Sequence, residues 1–308
     1  NSEMGAFGQL VFDRLDNFNE TKLNQEFFLP NGSSFLKNHA QQKAKVNAFQ
    51  LMNRFYYSPW SISNRIFLGY KEDNVLNNSI AKQWVISDNI TQQATEAFGK
   101  TKLYSGSFNL DYALPFYKKF GIKLYLSGDK TTKDNFNRFS TNGEGIKNPY
   151  RHEYAETSYT DYVIEPKVDF AQKLGSLFSL RFENRYRYNR KKTNDQFFVL
   201  NNLEGWQMVD SVSLQLLPSN REKLLRAFDY DNSLYALTKR HENEFKASFT
   251  LLQNEKNPLN ITLELPLLYS DERLDYKRGD IDTISQAKLF ALNPSLLFQH
   301  NQWALRFA

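Results

Sequence analysis

Cysteine is absent from the 308 residues, which excludes a disulfide framework, thiolate metal sites and thiol catalysis. A chain that must cross an oxidising envelope space has reason to carry none. No run of about 18 apolar residues occurs either, so a transmembrane helix is excluded, whereas a membrane barrel is not. The opening residues NSEMGAFGQL have neither the basic n-region nor the apolar h-region of a secretory signal. Export is therefore expected to be encoded outside this stretch. A dense basic block is missing as well: the formal charge of +5 is spread along the chain, and no nucleic-acid partner is expected.

Aromatics, by contrast, are abundant. They make up 15% of the chain, with 26 Phe and 17 Tyr, yet the mean hydropathy is a polar −0.62. Both facts follow if apolar residues take alternate positions and polar ones fill a wet interior and long loops.

The segment SLFSLRFENRYRYNRK, residues 176–191, shows how. Its even positions are Phe178, Leu180, Phe182, Asn184, Tyr186 and Tyr188; its odd positions are Ser179, Arg181, Glu183, Arg185 and Arg187. A helix would scatter both sets, so period two predicts a strand with one aromatic face and one charged face. The same parity recurs at Phe108 to Leu114, Ile122 to Leu126, Val168 to Phe170, Phe245 to Leu251 and Leu259 to Tyr269.

Turn chemistry separates these runs in pairs, at Tyr57-Ser58-Pro59-Trp60, Pro115 to Gly121, Leu174-Gly175-Ser176, Asn254 to Asn257 and His300-Asn301-Gln302. Between pairs, long polar connections are expected over 71–104, 129–158 and 191–242, with a shorter one over 277–285. Short and long connections in alternation match the two rims of an outer-membrane barrel. An aromatic girdle is expected from Tyr56, Tyr57, Trp60, Phe116, Tyr117 and Trp303 on one rim and Tyr186, Tyr188, Tyr269 and Tyr276 on the other.

SYTDYVIEPKVDFAQKLGSLFSLRFENRYRY, NPLNITLELPLLYSDERLDYKRG and LNPSLLFQHNQWALRF resemble hairpins of Bacteroidetes-type TonB-dependent outer-membrane receptors. The resemblance runs from about Lys45 onward and lies in hairpin phrasing, with no invariant motif. It implies a barrel of about 22 strands around a plug, importing bulky nutrients with energy relayed by TonB. Its implied partners are outer-membrane lipid and lipopolysaccharide, the plug domain of a parent chain, TonB and a surface lipoprotein. No plug-like region or TonB box occurs, and about 10 to 12 strands are expected, too few for the complete family architecture. The chain is therefore expected to be an internal barrel segment spanning residues 1–308.

Catalytic and metal motifs are not evident. His241 sits in RHENE, which is not HExxH, and His39, His152 and His300 lack a second ligand at metal spacing. Asp229-Tyr230-Asp231 and Asp280-Ile281-Asp282 lack the EF-hand spacing, and TNGEGIKN reads as a loop tip. No enzyme activity and no cofactor are expected.

The fold expectation is thus all-β: an antiparallel transmembrane β-barrel, a meander of long hairpins, as part of a larger barrel. Arg181, Glu183, Arg185 and Arg187 are the lumen-lining candidates, bracing the wall or meeting solute. Phe197, Phe198 and Trp206 are the loop candidates, stacking on a ligand or packing within their own loop. Other readings are a complete small porin or adhesin barrel and a soluble all-β binding protein.

Overall fold

Alternating side chains and continuous backbone pairing give this chain one very long-stranded sheet. The computed structural model describes residues 3–29, 32–58, 62–85, 90–113, 120–142, 150–175, 178–206, 214–252, 259–300 and 303–307. Its strands are β1 (Met4–Leu29), β2 (Gly32–Tyr57), β3 (Ile62–Val85), β4 (Ile90–Ala113), β5 (Phe120–Asn142), β6 (Tyr150–Leu174) and β7 (Phe178–Val199), then β8 (Leu234–Leu252), β9 (Leu259–Arg278), β10 (Ile281–Leu292), β11 (Ser295–His300) and β12 (Trp303–Phe307). They form a single 12-stranded sheet in which sequence neighbours pair antiparallel; β10 and β11 both pair β9.

β10 and β11 occupy one lane. Their registers against β9 are continuous, and between them Asn293 N–H donates to the Pro266 carbonyl at 3.2 Å. Pro294 has no N–H to give the ladder, which accounts for the interruption. The sheet therefore has eleven lanes among the described residues, and it is not closed.

The expected long connections over 71–104 and 129–158 are not loops. β3 and β4 stay paired as far as Trp84↔Ile90, and β5 and β6 as far as Ser140↔Tyr150. Strand pairing continues where apolar alternation stops, because backbone hydrogen bonds form whatever solvent the side chains meet. With 22 residues, β7 is about 75 Å long, far more than the ~9 to 11 residues that cross a bilayer. The connection over 277–285 is a tight reversal. Gly279 has φ of 53°, and a Cβ there would lie 2.9 Å from the Asp231 carboxylate, so only glycine fits without strain.

One true excursion remains, between β7 and β8. It contains short 3₁₀ turns at Leu200–Asn202 and Leu214–Leu216 and a helix α1 (Arg221–Leu225) capped by the Asn220 side chain, which accepts from Glu222 N–H. Leu200, Leu203, Leu224 and Ala227 are buried against Phe136, Tyr154 and Phe198 of β5, β6 and β7. This is the main apolar core, and it lies against one side of the sheet.

His152 on β6 is fully buried in it. Its ring lies 5.9 Å from Phe136, its Nδ1 accepts from the Trp206 indole N–H at 3.0 Å, and its backbone N–H donates to Asn201 at 2.6 Å. Burial, and secondarily the Arg138 guanidinium, hold the imidazole below its ordinary value of 6.5. The folded chain then binds fewer protons here than the unfolded one, so this contribution is complete above about pH 6.5 and lost as pH falls from there toward the lower folded value. Burial raises the Glu153 carboxyl on the opposite face, with the opposite pH trend. In a variant retaining Trp206 as its sole tryptophan, emission is expected to hold steady above pH 7 and shift red on acidification toward pH 5. His152→Asn should remove that shift; a shift that persists in it would place the titration elsewhere.

Candidate functional site

Register carries the parity of β7 across the whole sheet. Arg181, Glu183, Arg185 and Arg187 share a face with Glu165 and Lys167 of β6, Glu244 and Lys246 of β8, Glu264 of β9 and Arg306 of β12. Opposite charges meet across strands there. Glu183 pairs with Lys167 at 2.7 Å and Arg181 at 3.5 Å; Arg185 pairs with Glu244 at 2.6 Å and Glu165 at 4.0 Å; Arg187 reaches Glu165 at 3.7 Å. Glu264 accepts from Lys246 at 2.8 Å and Arg306 at 3.0 Å. The four sequence candidates are thus brought together as the centre of a charged wall.

The other face is apolar at the same level. Phe182 stacks 6.5 Å from Phe170 and 6.0 Å from Phe245, with Phe249 edge-on at 6.5 Å. On β2 through β9, the large apolar side chains that are exposed include Leu68, Ile122, Val168, Phe178, Phe249 and Leu263. All of those described lie on this apolar face except Tyr56 and Tyr125. Tyrosines bound the band above: Tyr70 and Tyr104 are 5.0 Å apart, and Tyr162 and Tyr188 are 5.9 Å apart, on four strands. Of the expected girdle, Tyr57, Tyr186, Tyr188, Tyr269 and Trp303 share the apolar face, whereas Tyr56 and Tyr276 are on the charged one. Trp60, Phe116 and Tyr117 lie outside the described residues.

The charged wall is concave. A cavity of about 390 Å³ is lined by residues of β2 through β6, among them Arg54, Arg65, Asn109, Tyr125 and Glu165. These five form one cross-strand row, since Arg54 pairs with Arg65, Arg65 with Asn109, Asn109 with Tyr125 and Tyr125 with Glu165. The hollow is shared by five adjacent strands on that face.

The loop aromatics divide between the two sides. Phe197 is half-buried on the charged-wall face opposite Ala155. Phe198 is fully buried on the other face, stacked 5.7 Å from Tyr154 under the Arg221 guanidinium at 5.4 Å. Trp206 packs beside it against Phe136. The described loop residues therefore pack on the face opposite the charged wall, where the apolar stripe of Leu76, Phe98, Phe136 and Phe198 draws Phe198 and Trp206 into the loop's own core. Asp229 is occupied by its own turn, accepting from the Asp231 and Asn232 N–H groups at 3.1 and 3.2 Å. Asp282 pairs with Lys277, and no group of His, Asp and Glu suited to a metal occurs among the described residues. The TNGEGIKN segment is outside the described residues.

Sequence reasoning missed Glu165, Glu244, Lys246, Arg54 and Arg65 as members of the wall. The signal is the same period of two in β2, β3, β6 and β8 that marks the charged face of β7.

No family model and no curated protein matches the chain. Among solved structures, similarity is found to the siderophore receptor PirA from Pseudomonas aeruginosa, at 9% identity over 96% of this chain and 72% of that one, with a TM-score of 0.15. OprD from Pseudomonas aeruginosa aligns at 10% identity over 96% and 95% of the two chains, with a TM-score of 0.10. BamA from Haemophilus ducreyi lacking POTRA domains 1-3 aligns at 10% identity over 89% and 75%, with a TM-score of 0.11. Scores this low show no superimposable fold.

Individually, partly exposed ion pairs contribute about 0 to 1 kcal/mol. A double-mutant cycle between Arg185→Gln and Glu244→Gln, followed by urea unfolding in detergent, should return a coupling of about 0.2 to 1 kcal/mol that shrinks in high salt. A coupling of zero at low salt would mean that this contact does not brace the wall.

Proposed function

We propose that this chain forms part of the wall of an outer-membrane transport barrel, with its apolar band against lipid and its charged face lining the path of a solute. The observation that carries the reading is the sorting of the two faces: an apolar band whose large side chains stay exposed among the described residues, edged by tyrosines, and backed by a partly exposed ionic wall. Burying so many exposed aromatics in lipid removes them from water, and the Tyr rings suit the boundary where lipid meets water. On β3 the band runs from Ile62 to Tyr70, nine residues, in keeping with the ~9 to 11 of a tilted spanning strand. The remainder of each long strand then rises above the bilayer and carries the outward-packed loop.

The finer reading is TonB-coupled uptake through a larger barrel, with plug, TonB, surface lipoprotein and lipopolysaccharide as partners. Strand direction supports the larger barrel. Across eleven lanes β1 and β12 run the same way, so antiparallel closure calls for an odd number of further lanes, and in lipid an open edge is costly. No chemical reaction is assigned to the chain in this reading.

The decisive test is lipid contact. Spin labels at Phe249 and Leu263 are expected to collide with lipid-dissolved oxygen, while labels at neighbouring Ser248 and Glu264 respond to a water-soluble relaxant. Phe249→Arg should cost about 2 to 4 kcal/mol if the site is at mid-membrane. Equal responses at positions 248 and 249 would end the barrel reading. For the finer reading, uptake that survives loss of TonB would leave passive passage in its place.

A further inference from the structure

The hollow in the charged wall holds two cations that nothing among the described residues neutralises. Arg54 of β2 and Arg65 of β3 are direct cross-strand partners on the same face, and neither makes an ion pair with a described residue. Every other charge around them is matched. Lys123 holds Asp111 at 3.0 Å, Lys167 holds Glu183 at 2.7 Å, and Glu165 faces Arg185 and Arg187. Both side chains are exposed, and like charges directly opposite on a sheet repel, so an anion between the two guanidinium groups would relieve that repulsion.

The surroundings suit such a guest. Asn109 and Tyr125, next in the same row, add neutral hydrogen-bonding groups, and the cavity of about 390 Å³ leaves room for a small molecule. On β3, Arg65 lies between Asn64 and Ile66 of the opposite face, within the Ile62 to Tyr70 band, so the pair stands at the depth of the band, where charge is costly unless it meets water or a counter-ion. Guanidinium forks match paired anionic oxygens.

We infer that Arg54 and Arg65 form a binding site for a small oxyanion, a carboxylate or phosphate group borne by the solute, on the concave charged wall. The inference rests on the transport reading, since it makes that wall the solute's path. It assigns anionic solutes to the path and gives Arg181, Arg185 and Arg187, all held by carboxylates, the bracing role instead.

The test is titration of the refolded full chain with sodium succinate and with inorganic phosphate, against sodium chloride at matched ionic strength, by calorimetry and thermal unfolding. Saturable binding with a rise in midpoint is expected for the unmodified chain. Arg54→Gln and Arg65→Gln should each weaken it about tenfold, while Arg14→Gln on the opposite face leaves it unchanged. Without ligand, Arg65→Gln should unfold no earlier than the parent chain, because a repulsion has been removed. Absence of saturable binding in the unmodified chain, or equal weakening by Arg14→Gln, overturns the site. Lipid contact at Phe249, read on the same preparation, separates the two proposals: contact without anion binding overturns the site alone, and loss of contact overturns the transport reading with it.

Discussion

Cross-strand register is the constraint on which the rest of this structure depends. Side chains alternate with period two, so sliding any one strand by a single residue would exchange its entire apolar set with its polar set. From β2 to β9 no such slip occurs. Phe55, Asn64 and Leu110 keep to one face while Arg54, Arg65 and Asn109 keep to the other, and the same phase carries through Val168, Phe182, Ala247 and Leu265. A single in-phase sheet can therefore present two different solvents with two different surfaces. Neither surface could exist on one hairpin alone.

Energetically the two faces behave differently. On the apolar face the contributions come from area and from ring contacts such as Phe170 with Phe182 and Phe182 with Phe245, which are insensitive to salt. On the charged face, Lys167, Glu183, Arg185 and Glu244 are each partly exposed, so their attraction is screened and modest. Such pairs stabilise little but fix geometry: Arg185 is held from β8 and β6 at once, and Glu264 from β8 and β12. The wall is cross-linked where it is paired, and its character changes at Arg54 and Arg65, which make no ion pair with a described residue.

Much of this was legible in the sequence. The alternation in SLFSLRFENRYRYNRK is that of β7, and its four charged positions fall on one wall together. The reversal at Gly175, where φ is 70°, falls where glycine places it. What the sequence obscured were the upper strands. Glu72, Asp73 and Asn74 of β3 face Lys102, Thr101 and Lys100 of β4, polar on both sides, so no hydrophobic period betrays a strand whose order comes from backbone pairing. The direction of the loop was hidden for a different reason. Phe136, Tyr154 and Phe198 are far apart in sequence, and only register shows that they form one outer stripe.

That stripe explains where the loop packs. Above the tyrosines, the face that is apolar lower down would meet water, and Leu76, Phe98, Phe136 and Phe198 would be stranded there. The excursion between β7 and β8 covers them with Leu200, Leu203 and Leu224 and anchors itself through Arg221 to Glu156 at 2.6 Å. The described residues of the excursion pack on this face, opposite the one that carries Phe197, Asn109, Tyr125 and the two arginines. Hydrophobic burial thus draws the described part of this loop to the face opposite the charged wall.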